Sequence, residues 1–210
     1  MTKDKQSELL KQGKMLPIME HFYTIQGEGF HAGRAAYFIR LAGCDVGCHW
    51  CDVKESWDAE LHPVLDVTEL AKTASEHCKT IIITGGEPLM WNLNPLTTAL
   101  KNNGCTIHIE TSGAHPLSGH LDWITLSPKK TKMPLPEVYS KADELKMIIF
   151  NNHDFKFALE QAEKVSENCL LYLQSEWSKR NEIYPKITDF ILSHPQWRLS
   201  IQTHKYLNIP

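Results

Sequence analysis

The chain is predicted to adopt an α/β fold, a partial, TIM-like barrel, and three observations carry that expectation. Short apolar runs alternate with longer amphipathic stretches along the 210 residues, as in a largely parallel sheet covered by helices. Seven runs read as strands, too few to close an eightfold barrel with eight full helices, and several connections are too short for a helix. The residues with the most distinctive chemistry fall just after these runs, at the carboxyl ends of strands, where barrels and open parallel sheets gather their ligands.

In chain order the strands are expected at Ala36 to Leu41, Thr80 to Thr84, Thr106 to Thr111, Trp123 to Ser127, Leu145 to Ile149, Leu170 to Gln174 and Arg198 to Gln202. Asp66-Val67-Thr68-Glu69 places an N-cap residue three positions before an acid, which opens a helix through about His77. Further helices are expected over Pro95 to Asn102, Asp154 to Glu167 and Tyr184 to Ser193, while Lys129 to Ser140, with Pro134 and Pro136, reads as a loop. Residues 1–14 form a polar N-terminal extension, loosely held, and 15–210 a single domain with no repeat, linker or low-complexity tract. A net charge of −3 gives no footprint for nucleic acid, and no apolar run is long enough to span a bilayer. With no signal peptide at the polar start, the expected setting is cytoplasmic and the expected ligand small.

The most informative segment is Gly43-Cys44-Asp45-Val46-Gly47-Cys48-His49-Trp50-Cys51. It puts three thiols within eight residues at a strand end, so one loop can wrap a single inorganic object. A four-iron cubane needs four ligands, and three thiolates leave one iron open to a reactive ligand. Zinc is the alternative, but it wants a fourth protein ligand, and neither His49 nor His21 completes a familiar spacing. Disulfides require an oxidising compartment. Cys78, Cys105 and Cys169 are scattered and read as ordinary buried or partly buried thiols. A second segment, Gly85-Gly86-Glu87-Pro88, pairs glycines that permit close backbone approach with a carboxylate suited to an ammonium group. Paired glycines alone mark only a turn.

Together the two segments resemble the radical S-adenosylmethionine superfamily, in which an aromatic residue, here Trp50, stands just before the third cysteine. The resemblance implies a partial barrel of the radical SAM type. It also implies a four-iron four-sulfur cluster on Cys44, Cys48 and Cys51, whose open iron chelates S-adenosylmethionine, with an electron from a low-potential donor such as a flavodoxin or ferredoxin releasing a 5′-deoxyadenosyl radical. Gly86 and Glu87 would lie against the methionine moiety, Ser127, Pro128 and Lys129 against ribose or carboxylate, Gln174 toward the adenosyl group, and Glu110 on a ribose hydroxyl or ligand amine. The plain alternatives are a solvated lysine at Lys129 and a basic partner for Glu110.

Phe22 to Gly29, Ile109 to Gly113, Ser127 to Lys129 and the ending Trp197 to Pro210 resemble, more narrowly, the 7-carboxy-7-deazaguanine synthase family of queuosine-pathway enzymes. The likeness runs from about Glu20 to Pro210 and is weakest over Lys141 to Ser193. It implies conversion of 6-carboxy-5,6,7,8-tetrahydropterin to 7-carboxy-7-deazaguanine with loss of ammonia, initiated by hydrogen abstraction from C6. By the same resemblance Ile25, Gln26, Gly27 and Thr84 line the substrate, Arg40 meets its carboxylate, the carboxylate at Pro210 accepts from its amino edge, and the protein is a homodimer. A turn at Gln26-Gly27, a salt bridge at Arg40 and ordinary β propensity at Thr84 are the structural alternatives. One position departs from the pattern: the family commonly has a magnesium-associated threonine two residues past the third cysteine, and here Val53 stands there. An isopropyl group cannot ligate a hard cation, so weak magnesium dependence or another cation preference is expected, with Asp52 or a backbone carbonyl as remaining ligands. Two other classes fit the cysteines: a glycyl-radical activating enzyme, which gives no reason for the Gln26 to Gly29 turn, and a non-enzymatic zinc or iron–sulfur protein.

Overall fold

A computed structural model describes residues 2–210. The apolar runs become strands β1 (Met15–Ile25), β2 (Ala35–Leu41), β3 (Val64–Asp66), β4 (Thr80–Gly85), β5 (Thr106–Thr111), β6 (Trp123–Leu126), β7 (Glu144–Ile149), β8 (Leu170–Ser175) and β9 (Trp197–Ser200). They form one mixed sheet in the order β3-β1-β2-β4-β5-β6-β7-β8-β9. From β2 to β9 every neighbouring pair is parallel, whereas β1 runs antiparallel to both β2 and β3. Among the described residues no ladder joins β9 to the β3 edge, so the barrel stays open.

The seven parallel strands are those expected from the sequence, and β1 and β3 were missed. The reason is physical: β1 carries Pro17, Glu20 and His21 and alternates weakly, and β3 has three residues. Helices α1 (Lys3–Lys11), α2 (Val67–His77), α3 (Asn94–Asn102), α4 (Pro136–Lys141), α5 (His153–Ala162), α6 (Arg180–Ser193) and α7 (Thr203–Leu207) complete the fold. Asp66 caps α2 by accepting from the amides of Thr68 and Glu69. Three boundaries differ from expectation. Pro136, at the first helical position, starts α4 inside the segment read as a loop. Helix α5 stops at Ala162 rather than reaching Glu167. Helix α6 begins at Arg180 and carries Pro185 inside it, held down by buried Ile183 and Ile187. Helix α1 lies within the expected N-terminal extension, of which Met1 is outside the described residues. Among the described residues no helix is long and apolar enough to cross a membrane.

Strand periodicity sorts the side chains onto two faces. Tyr37, Ile39, Leu41, Ile81, Ile83, Ile107, Ile109, Leu145, Met147 and Leu173 pack with helix residues such as Leu70, Leu96, Leu100, Ala158 and Ile187 in the main core. The residues between them face inward. Near β1 this face is closed by a small apolar cluster of Phe22, Ala36, Phe38 and Ile82, and beyond it the face turns polar, through Arg40, Thr84, Glu110, Lys146 and Gln174. The loop Gln26 to Arg34 crosses this inner face. Phe30 stacks on Trp123 at 5.3 Å, and His31 lies 4.4 Å from the His108 ring. The Gly29 amide donates to Ser200 Oγ, the Phe30 amide to Glu144, and the Thr203 amide to the Gly27 carbonyl.

Candidate active site

The cysteine loop follows β2 and is pinned by its backbone: the Gly43 amide donates to the Ser56 carbonyl at 2.7 Å and the Cys44 amide to the Trp57 carbonyl at 3.2 Å. Two ion pairs hold its flanks. Asp45 accepts from Lys132 and His115, and Asp52 from Lys205 of α7 at 2.6 Å. Gly43 and Gly47 take φ of +97° and +70°, which lets the loop fold back. All three thiols are free, half-buried and line one cavity of about 560 Å³. Burial raises the Cys44 and Cys48 thiol pKa values. Among the described residues no three His, Cys, Asp or Glu side chains are placed to hold a single metal ion. The histidines named for a fourth zinc ligand are engaged elsewhere: His21 bonds Tyr37, and His49 meets Phe150 edge-on. Three half-buried thiols lining one cavity suit the polynuclear cluster expected from their spacing.

The Gly85 to Pro88 loop presses directly on the cysteine loop. The Gly86 amide donates to the Leu41 carbonyl at 2.8 Å, and the Glu87 amide to the Gly43 carbonyl at 2.9 Å. A Cβ on Gly86 would lie 2.3 Å from the Gly43 oxygen, and one on Gly85, whose φ is +117°, 2.2 Å from the Leu41 oxygen. Glu87 was expected to offer a carboxylate to an ammonium group. Instead the side chain is buried and accepts from the Leu89 amide at 3.0 Å, Thr111 Oγ1 at 2.5 Å, the Ser112 amide at 2.8 Å and Ser112 Oγ. With four donors on two oxygens, it ties the loop to the end of β5.

The cavity floor is an ion-pair network on the inner face. Lys146 of β7, 5% exposed at its side chain, donates to Glu28 at 2.5 Å and to Glu110 at 3.1 Å. Gln26 Nε2 adds a second donor to Glu110 at 2.8 Å, and Gln202 Nε2 donates to Glu28 at 2.9 Å. Burial alone would raise the Glu28 carboxyl, but the charge and hydrogen bond of Lys146 overcome it and bring it to about 2. Lys146 shows the converse: desolvation opposes its charge, and Glu110, Glu28 and Glu144 more than offset that, so its pKa rises. Glu144 is pushed up to about 7, chiefly by desolvation. A raised folded-state value means its contribution to stability is present below the unfolded value and lost as pH rises through about 7. Glu144→Gln is therefore expected to gain on the order of 3 kcal/mol relative to the unmodified chain between pH 5 and pH 8. Urea midpoints at the two pH values check it, and equal midpoint changes at both would contradict it.

Fifteen further residues expected at the site from the sequence can be placed. Ile25, Gln26, Gly27, Arg40, Val53, Thr84, Gly86, Glu87, Glu110, Ser127, Lys129, Gln174 and Pro210 all line the same cavity as the thiols. Pro128 is buried beside it and does not. Asp52 reaches its wall while paired to Lys205. Arg40 pairs with Glu20 at 3.1 Å and lies over Phe22. Lys129 is half-buried rather than solvated, donating to the Ser127 carbonyl and hydroxyl, both at 2.6 Å; desolvation lowers its pKa. Gln174 is buried, accepting from Ser200 at 2.6 Å. The sequence reading passed over Lys146, Glu28, Gln202 and His204, which also line the cavity. For Lys146 the one signal was parity: Glu144 and Lys146 alternate with Leu145 and Met147 in a buried strand, which requires a polar inner face.

An open parallel barrel with a three-cysteine loop at the mouth of its cavity defines the class, and the family model of the Radical SAM superfamily matches residues 38–168. A protein of Flavobacterium psychrophilum named 7-carboxy-7-deazaguanine synthase is 59% identical over 201 residues, covering 96% of each chain. One of the same name from Synechocystis is 53% identical, covering 92% of this chain and 93% of its own. The crystal structure of QueE from Escherichia coli superposes with a TM-score of 0.81 at 28% identity, covering 93% of this chain and 97% of that one. The chain belongs to the 7-carboxy-7-deazaguanine synthase family of radical SAM enzymes.

Proposed function

We propose that this enzyme converts 6-carboxy-5,6,7,8-tetrahydropterin to 7-carboxy-7-deazaguanine with release of ammonia, and that the residues gathered in the thiol-lined cavity carry the reaction. One observation supports this above the rest: thiols, glycine loop and a charged floor meet in a space of about 560 Å³, within the range of sites that enclose a small molecule and its cofactor. A four-iron four-sulfur cluster held by Cys44, Cys48 and Cys51, with S-adenosylmethionine, would supply a carbon-centred radical when reduced by a low-potential donor of the flavodoxin type.

The chain itself supplies placement and exclusion of water. The Gly85-Gly86 backbone leaves room for a ligand beside the cysteine loop, where any side chain would collide. Ser127, Lys129 and Gln174 face the cofactor side. Ile25, Gln26, Gly27, Thr84 and Pro210 face the substrate, whose carboxylate meets Arg40 in competition with Glu20. Glu110, already holding Gln26 and Lys146, has lone pairs to spare for a ligand N–H or ribose hydroxyl. Anaerobic incubation with the pterin, S-adenosylmethionine and reductant should yield the deazaguanine acid by mass analysis. No product from protein with a full iron complement would reject the assignment.

Magnesium binding is inferred to be weak. Val53 offers no side-chain ligand, its carbonyl already accepts from Ser56, and Asp52 is paired with Lys205. Turnover after chelation should change less than about threefold on adding magnesium, a difference of under 1 kcal/mol; a collapse without the ion would count against this. The enzyme is further inferred to act as a dimer of identical chains, checked by sedimentation.

A further inference from the structure

Beside the substrate cavity lies a small, separate void of about 10 Å³, the room of one water-sized guest. Three residues, Gln26, Glu28 and Glu110, line both spaces, so the void adjoins the cavity floor. Its far wall is Glu144, Thr125, His108 and His31. His108 is 7% exposed and shares the inner face of β5 with Glu110. His31 Nε2, also on this wall, is buried without a partner among the described residues. A buried polar atom left this way calls for a guest.

The lining selects the guest. Glu28, Glu110 and Glu144 present carboxylate oxygens, while the His108 ring offers one N–H and one acceptor nitrogen, so acceptors outnumber donors; Lys146, buried beside them, is already shared between Glu28 and Glu110. Burial holds His108 neutral, with a value near 4, so the ring adds no positive charge. Water gives two protons and wants two in return, whereas ammonium gives four and accepts none. The carboxylates do not converge closely enough for a metal ion, and the longer N–H···O contacts of ammonium tolerate that spacing.

We propose that this void is an ammonium site, the first stop for the ammonia that the proposed reaction releases into the cavity beside it. The source of the ligand rests on that reaction; its binding does not. Neutral ammonia passing the Glu28 and Glu110 floor would take a proton from the wall, with Glu144, held close to neutrality in its titration, as the group able to give one and recover it from solvent.

The test is isotope-edited NMR of the anaerobic, cluster-loaded protein titrated with 15N-ammonium chloride against a sodium chloride control. A saturable bound ammonium resonance, protected from exchange, is expected. Thr125→Ile, which extends a side chain into the void, should abolish it, and Glu144→Gln, which keeps shape and removes charge, should weaken binding about tenfold. No bound resonance, or one unchanged in both variants, overturns the proposal; if Thr125→Ile does not fold, Glu144→Gln decides alone. Protein that binds ammonium but converts no pterin would reject the reaction and keep the site. Protein that converts pterin and binds no ammonium would do the reverse.

Discussion

Lys146→Met is expected to destabilise the protein by about 3–5 kcal/mol at neutral pH, the typical cost of removing one partner from a buried ion pair. The side chain is 5% exposed and neutralises Glu28 and Glu110 at 2.5 and 3.1 Å. Methionine fills most of the volume and leaves two carboxylates facing each other without a cation. The pH dependence carries the diagnosis. In the intact chain Glu28 is lowered to about 2, so its contribution is present above its unfolded value and lost as pH falls through about 2. Without Lys146, desolvation acts unopposed and Glu28 takes up a proton well above its ordinary range. The penalty should therefore shrink as pH falls from 8 towards 4. Urea denaturation of the variant and of Lys146→Met/Glu28→Gln from pH 4 to pH 8 reads this out, with the double variant recovering part of the loss. A pH-independent penalty would show that packing, not charge, is what Lys146 contributes. Turnover should drop by at least about a hundredfold, because Gln26 and Glu110 lose the group that orients them.

Gly86→Ala is the second large effect. Its Cβ would sit 2.3 Å from the Gly43 carbonyl oxygen and 3.1 Å from Cys44 Cβ, so the cysteine loop or the glycine loop must move. The three thiols stay on one short segment, and iron content should remain near that of the unmodified protein. What should fail is ligand placement: turnover falls about a hundredfold, the usual consequence of a shift near 1 Å, and the spectral response to S-adenosylmethionine is lost. Gly104→Ala is the matched control, with φ of +73° but nothing within 4 Å of its added carbon. It should cost only backbone strain, on the order of 1 kcal/mol, and keep its activity. Turnover of Gly86→Ala within threefold of the parent would remove the glycine loop from the site.

The Glu87 result belongs with this. From sequence, a carboxylate after two glycines looked like a ligand for an ammonium group; in the fold, Leu89, Thr111 and Ser112 saturate it. Thr111 and Ser112 lie 24 and 25 residues away along the chain at the end of β5, and nothing local announces that distance. Lys129 is the reverse case: placed against the ligand by the resemblance, with solvation as the plain alternative, it is half-buried, donating to Ser127 and lying over Trp50.

Local pattern was enough for the seven parallel strands, because each is a short apolar run that can only be buried, and for the cysteine loop, because three thiols at that spacing encode their chemistry within nine residues. It was also enough to place the glycines against that loop. Strand β1, the reach of the Gln26 to Arg34 loop across the inner face, and the Glu28–Lys146–Glu110 floor were decided only in three dimensions. Lys146 lies 118 positions from Glu28 and 36 from Glu110. A charged side chain in an apolar strand has no meaning until the sheet curls and brings its partners within hydrogen-bonding distance. Sequence thus determined which inorganic chemistry the chain supports, and tertiary structure decided what electrostatic floor that chemistry meets.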